Sequence, residues 1–185
     1  MIPIYKIVIF LVVSLGLVIV SRASLLKPRS HGFFRFFAWE VILGQALLNL
    51  EVWFSRPLAW YQLISWVLLL VSVGLVLHAA WLLKQIGRAD ARRDDAPLLG
   101  FEKTTQLVMV GAYRYIRHPL YSSLLVLSWG VYFKDPNWIG SLLVLAATAL
   151  LWATARAEEA EDVRFFGQVY RDYMKKTRMF IPYLF

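Results

Sequence analysis

Two short stretches of this chain hold the side chains that could do chemistry. The first, residues 104–121, crowds Gly111, Tyr113, Arg114, Tyr115, Arg117, His118, Pro119 and Tyr121 together. Gly111 permits a turn or a close backbone approach. Pro119 suits the first turn of a helix and pushes His118 toward an extended conformation. Backbone N–H groups at that helix start would then lie open beside His118, a place for a carboxylate or a phosphate. The same residue types also serve as plain anchors at a membrane interface.

The second stretch, residues 154–182, begins acidic with Glu158, Glu159, Glu161 and Asp162 and ends basic with Lys175, Lys176 and Arg178. Phe166, Val169, Tyr170 and Tyr173 recur at i, i+3, i+4, i+7, which predicts one amphipathic helix. Glu159 lies seven residues before Phe166, near the same face. Gly167 costs about 1 kcal/mol against alanine inside a helix, so close packing is expected there. Such a helix can lie on a membrane with a solvated acidic turn. It can equally be a lid whose carboxylates meet a cationic or hydroxyl-rich ligand.

Composition narrows the chemistry. The chain has no cysteine, which excludes disulfides, thiolate nucleophiles and thiolate metal sites. His31, His78 and His118 are too scattered to suggest a metal cluster, and no metal is expected. No residue is an obvious general base, so the catalytic residue is left unassigned. The formal net charge of +8 does not indicate nucleic acid, because the basic residues are spread over three separate segments.

The elements that position these residues are membrane helices. Apolar residues make up 59% of the 185 and charged ones 17%, with mean hydropathy +0.58. Soluble domains carry about 25% charged residues. Stretches without Asp, Glu, Lys or Arg lie at 7–21, 57–83, 118–133 and 136–155. Residues 36–54 form a fifth apolar segment, interrupted by Glu40, Gln45, Asn49 and Glu51. A crossing helix needs about 20 apolar residues. The expected fold is therefore all-α: a single polytopic membrane domain of five transmembrane helices plus a cytoplasmic C-terminal amphipathic helix. Residues 1–83 hold spans one to three, 84–117 a cytoplasmic loop, 118–155 spans four and five, and 156–185 the lid helix and tail. The first segment is expected to be retained as a span and not cleaved. With alternating connections, seventeen Lys and Arg fall on one side and three (Lys6, Arg56, Lys134) on the other. That bias places the N-terminus outside and the tail in the cytoplasm, at the inner membrane of a bacterial or archaeal cell.

Glu40 and Glu51 sit eleven residues apart, about 20° from a common helical face and about 16 Å along the axis. Carboxylates at membrane depth face a bundle interior or reach the interface. They are carried as possible substrate-cavity residues, although reaching headgroups explains them as well. His78 is expected to be packed or interfacial.

The run Gly111-x-Tyr113-Arg114-x-x-Arg117-His118-Pro119-x-Tyr121, then Glu158-Glu159, then Phe166-Gly167-x-x-Tyr170-x-x-Tyr173 and Pro182 resembles the isoprenylcysteine carboxyl methyltransferase family. That family is similar to the phospholipid N-methyltransferases. The resemblance covers about the last 80 residues. It implies a pocket for S-adenosylmethionine under a helical lid, open sideways to the bilayer for a lipidic or small amphiphilic acceptor. By the same resemblance the cofactor-binding positions are Thr105, Gln106, Leu107, Val108, Tyr113, His118, Pro119, Leu120, Tyr121 and Glu158. Arg117, Arg156 and Glu159 are candidates for substrate or lid contacts. A sulfonium donor asks for aromatic or carboxylate surface near its positive charge and for alignment with the nucleophile.

The chain departs from the family pattern in three places. Thr154 stands where an arginine tied to the substrate carboxylate is usual, Ser123 replaces a glycine, and Asp162 replaces a lid leucine. The resemblance thus implies methyl transfer and leaves the acceptor open among oxygen, nitrogen and sulfur. Two other readings compete. Sterol-type reductases using NADPH share a Pro-Tyr ending, here Pro182-Tyr183, but carry more spans, and no Gly-x-Gly-x-x-Gly loop is present. A non-catalytic membrane scaffold would not need to retain Glu158-Glu159 beside the full 117–121 string.

Overall fold

The computed structural model describes residues 2–87 and 105–184. Within them lie six helices: α1 (Ile4–Leu25), α2 (His31–Leu48), α3 (Trp60–Ile86), α4 (Pro119–Tyr132), α5 (Trp138–Phe166) and α6 (Gln168–Lys176). Among the described residues the sole β-type pairing is a single parallel bridge between Ile116 and Arg178. The all-helical expectation holds. Residues 88–104, most of the expected cytoplasmic loop, lie outside the described residues.

Helix starts follow local chemistry. Ser30 caps α2 by accepting from the Phe33 N–H, and Asn137 caps α5 by accepting from the Gly140 N–H. Pro119 occupies the first position of α4, where its missing N–H costs nothing.

The number of spans is corrected by the structure. Helices α1, α3 and α5, of 22, 27 and 29 residues, are long and apolar enough to cross a membrane; five were expected. Helix α4 has 14 residues, about 21 Å, against a hydrocarbon core of about 30 Å. Flanking residues do not extend the helix. At one end the His118 N–H is committed to the Met179 carbonyl, and at the other the chain turns at Phe133 and Lys134. Helix α2 has 18 residues and carries Arg35 and Glu40. It starts at His31, not at 36, and stops at Leu48, leaving Glu51 in a separate 3₁₀ turn.

Packing pairs α2 with α5 and α3 with α4 most extensively. Ala38, Ala147 and Ala155 are fully buried beside Ile42, Tyr121, Leu151 and Phe180, so small residues let the helix backbones approach. Side-chain hydrogen bonds tie the helices where no water could compensate. Ser65 donates to the Gly130 carbonyl at 2.7 Å, Ser72 to that of Ser123 at 2.8 Å, and Asn49 to that of Val131 at 2.8 Å. Ser128 donates to Gln45 Oε1 at 2.9 Å. Outward-facing Leu11, Val12, Leu15, Leu70, Leu77 and Leu145 stay exposed, as lipid-facing positions require.

The expected continuous lid helix is also corrected. The chain breaks at Gly167, whose φ of 62° and ψ of −131° end α5 and start α6. A Cβ at Gly167 would meet nothing within 4 Å. The glycine is there for its backbone freedom and not, as expected, for close packing. Val169 consequently leaves the predicted stripe and is exposed, while Tyr170 and Tyr173 are buried.

Candidate active site

The site forms where the start of α4, the end of α5 and α6 converge. Residues 115–118 run beside 178–179: Arg178 N–H donates to the Tyr115 carbonyl at 3.0 Å, and Arg117 N–H to the Arg178 carbonyl at 2.8 Å. This pairing holds the Arg117-His118 dipeptide at the mouth of α4. Gly111 opens the preceding 3₁₀ turn with φ 59°, and a Cβ there would stand 2.6 Å from His78 Nε2 and 2.7 Å from Leu82 Cδ1. Both roles foreseen for this glycine are therefore real. His78, expected as packed or interfacial, accepts from the Ala112 N–H at 3.3 Å and stacks on Trp81.

His118 is buried between two carboxylates. Its Nδ1 lies 3.3 Å from Glu158 Oε2 and its Nε2 3.5 Å from Glu159 Oε1. Its ring stacks on Tyr121 with centroids 5.6 Å apart. Burial opposes the charged imidazolium, but the hydrogen bonds and charges of Glu158 and Glu159 prevail and lift the pKa to about 9. Glu159 is further held by Arg117, whose Nε donates at 2.6 Å, while Arg117 Nη1 donates to the Thr177 carbonyl at 2.6 Å. Arg156 reaches the other Glu159 oxygen at 3.4 Å from an exposed position.

One face of this cluster lines a cavity. Leu107, Val108, Tyr113, Arg117, His118, Leu120, Tyr121 and Glu158 lie on its wall with Leu83, Asp162, Phe166, Tyr170 and Tyr173. It encloses about 70 Å³, and a wide mouth brings the open space to about 620 Å³. Tyr173 donates to the Tyr113 carbonyl at 2.6 Å, fastening α6 over the 3₁₀ turn. Burial raises the pKa of the Tyr170 and Tyr173 hydroxyls, with the charges of Asp162, Glu158 and Glu159 adding to it at Tyr170, so both stay protonated.

Several expected positions fall elsewhere. Thr105 and Gln106 do not line the cavity; their N–H groups donate to the Gly87 carbonyl and close off α3. Pro119 is buried in the helix start, and Glu159 sits behind the wall. Glu40 accepts from Ser14 of α1 at 2.5 Å, and Glu51 is exposed at the other end of the bundle, 2.7 Å from the Tyr5 hydroxyl. Neither lines the cavity. Thr154 turns back on its own helix, donating to the Leu150 carbonyl.

Sequence reasoning did not assign Asp162, Phe166, Tyr170 and Tyr173 to the site. The spacing Glu158, Asp162, Phe166 at i, i+4, i+8 puts all three on one face of α5 and was the available signal. His31 was also passed over: its Nδ1 lies 2.6 Å from Glu161 Oε2, joining the start of α2 to the end of α5.

A family model for phospholipid methyltransferases matches residues 60–173, which run from the first residue of α3 to Tyr173 on the cavity wall. The chain belongs to the phospholipid methyltransferase family. It is 30% identical over 151 residues to the methanethiol S-methyltransferase of Pseudomonas deceptionensis, covering 79% of this chain and 50% of that protein. It is 35% identical over 80 residues to the protein-S-isoprenylcysteine O-methyltransferase of Schizosaccharomyces pombe, covering 41% of this chain and 33% of that one. A probable protein-S-isoprenylcysteine O-methyltransferase of Oryza sativa subsp. indica is 28% identical over 172 residues, 89% of this chain and 82% of its own length. The chain thus spans half or less of the first two proteins. No solved structure matches.

Proposed function

We propose that this chain is an integral-membrane methyltransferase that takes its methyl group from S-adenosylmethionine and passes it to a lipidic or small amphiphilic acceptor. The observation that carries this reading is the acidic and aromatic wall of the cavity, in a chain of this family. Glu158 and Asp162 face a space bounded by Tyr113, Tyr121, Phe166, Tyr170 and Tyr173. Carboxylates and ring faces are the groups that hold a cation in a partly desolvated site. When bound, the donor supplies an electrophilic methyl on a positively charged sulfur. The enclosed 70 Å³ suits that small reactive end, with the rest of the donor in the mouth.

His118 is a positioning residue in this reading. As a cation clasped by Glu158 and Glu159 it orients the two carboxylates and has no free base to offer. The buried tyrosines are held neutral. The acceptor must then arrive already nucleophilic, as a thiolate, an amine or a carboxylate. With Thr154 turned into its own helix and Arg117 of the wall committed to Glu159 and the Thr177 carbonyl, a thiolate or an amine is favoured over an acceptor carboxylate.

The cavity lies at the end of the bundle that carries Arg22, Lys27, Arg29, Lys84, Arg114, Arg117, Arg156 and Arg164, whereas Lys6, Arg56 and Lys134 mark the other end. That asymmetry supports a site on the cytoplasmic side. The test is calorimetric titration of detergent-purified protein with S-adenosylmethionine, S-adenosylhomocysteine and NADPH. It is followed by transfer of labelled methyl to methanethiol, an isoprenylated cysteine and an aminophospholipid. Saturable binding of the first two ligands, with none of NADPH, is expected; failure of both to bind overturns the proposal.

A further inference from the structure

A second, apolar recess opens on the flank of the bundle and shares no lining residue with the acidic cavity. It holds about 480 Å³ between Leu68, Val71 and Leu75 of α3 and Leu125, Val126 and Trp129 of α4. Each trio repeats at helical spacing, so both helices turn a continuous apolar face to the groove. Tyr115 and Pro182 also line it, beside the segment that leads into the active site. There Tyr115 also borders a depression of about 200 Å³ formed by Lys175, Lys176, Arg178 and Tyr183. Lys175 pairs with Asp172 at 2.8 Å and Lys176 adds its charge near that carboxylate, while among the described residues neither Lys176 nor Arg178 makes an ion pair of its own. Tyr115 and Tyr183 are exposed between the cationic and apolar parts, where aromatic residues meet a headgroup layer.

We infer that the groove and the cationic depression form one binding site for an anionic phospholipid, its acyl chain between α3 and α4 and its headgroup on Lys176 and Arg178. The charge complementarity and the shared wall at Tyr115 select this occupant. A neutral lipid would leave the cations unmatched, and a soluble anion would leave the groove unfilled. The site stands independently of what the acidic cavity binds. The lipid would rest against Ala112 and Ile116, the reverse side of the segment that carries Tyr113 and Arg117.

The test is native mass spectrometry of the full detergent-purified chain offered equal amounts of phosphatidylglycerol and phosphatidylcholine. The expected result is one retained phosphatidylglycerol, favoured about fivefold or more, from roughly 1 kcal/mol per basic residue at a headgroup. Reversing the exposed pair Lys176→Glu with Arg178→Glu should abolish the preference. Reversing Arg22→Glu with Lys27→Glu, the same charge change on the same side but away from the groove, should leave it intact. Leu125→Trp should reduce retention of both lipids by filling the groove. Equal retention of the two lipids by the unmodified chain overturns the proposal. So does a preference that survives the first reversal, or one lost equally in the second.

Discussion

At His118 burial and charge compete, and charge decides the protonation state. A buried imidazole would ordinarily be neutral, but Glu158 and Glu159 flank both ring nitrogens. The folded pKa of about 9 lies above the ordinary 6.5. The resulting stabilisation is therefore complete below about 6.5 and is lost as pH rises through about 9. A melting temperature that falls by several degrees between pH 7 and pH 10, with the fall suppressed in His118→Gln, is the expected outcome in thermal unfolding of detergent-purified protein. Glu158→Gln keeps the shape of the wall and removes its charge. It should weaken S-adenosylmethionine binding about tenfold by calorimetry, in protein that still purifies as a monodisperse species. His118→Ala should weaken binding too and also lower the melting temperature, because two carboxylates lose their shared cation. Unchanged affinity in both variants would remove Glu158 and His118 from the proposed donor site.

At the scale of elements, two glycines separate backbone freedom from space. Gly167 has open surroundings and a conformation that other residues adopt only under strain. Gly167→Ala should cost about 1–3 kcal/mol through the backbone alone and loosen α6 from the cavity. Gly111→Ala adds to a similar strain the collision with His78 and Leu82, so its loss of stability should be the larger. Thermal unfolding of the two variants side by side checks the order, and equal losses would show that His78 and Leu82 move aside freely. The stripe Phe166, Tyr170, Tyr173 was legible from spacing because side-chain periodicity is local. The break at Gly167 was not, because a glycine at positive φ and one packed within a helix look alike in a sequence.

At the scale of the whole molecule, the helices form a bundle with its basic residues gathered at the cavity end. A chain without native cysteine is well suited to labelling. In intact cells an impermeant maleimide should modify Ser55→Cys, beside the 3₁₀ turn at the far end, and should reach Arg171→Cys on α6 only after permeabilisation. Labelling of Arg171→Cys from outside with Ser55→Cys protected would reverse the orientation of the cavity. Which segments bridge the full bilayer could not be read from apolar length alone. Whether α2 and α4 gain flanking residues depends on distant partners: Met179 for His118 at the start of α4, and Val131 for the Asn49 side chain at the end of α2.

Membrane residence and helical class were determined by the sequence itself, since both follow from the density of apolar side chains and their lack of alternation. So was the grouping of Tyr113, Arg117, His118, Tyr121 and Glu158, through motifs short enough to keep their spacing. Tertiary structure alone decided that Glu40 and Glu51 stand apart from them. A helical face specifies a direction but not the neighbour that will fill it, and the neighbours of Glu40 and Glu51 proved to be Ser14 and Tyr5 of α1. Tertiary structure also decided the charge of His118, because a pKa depends on burial and on the carboxylates of a helix forty residues away.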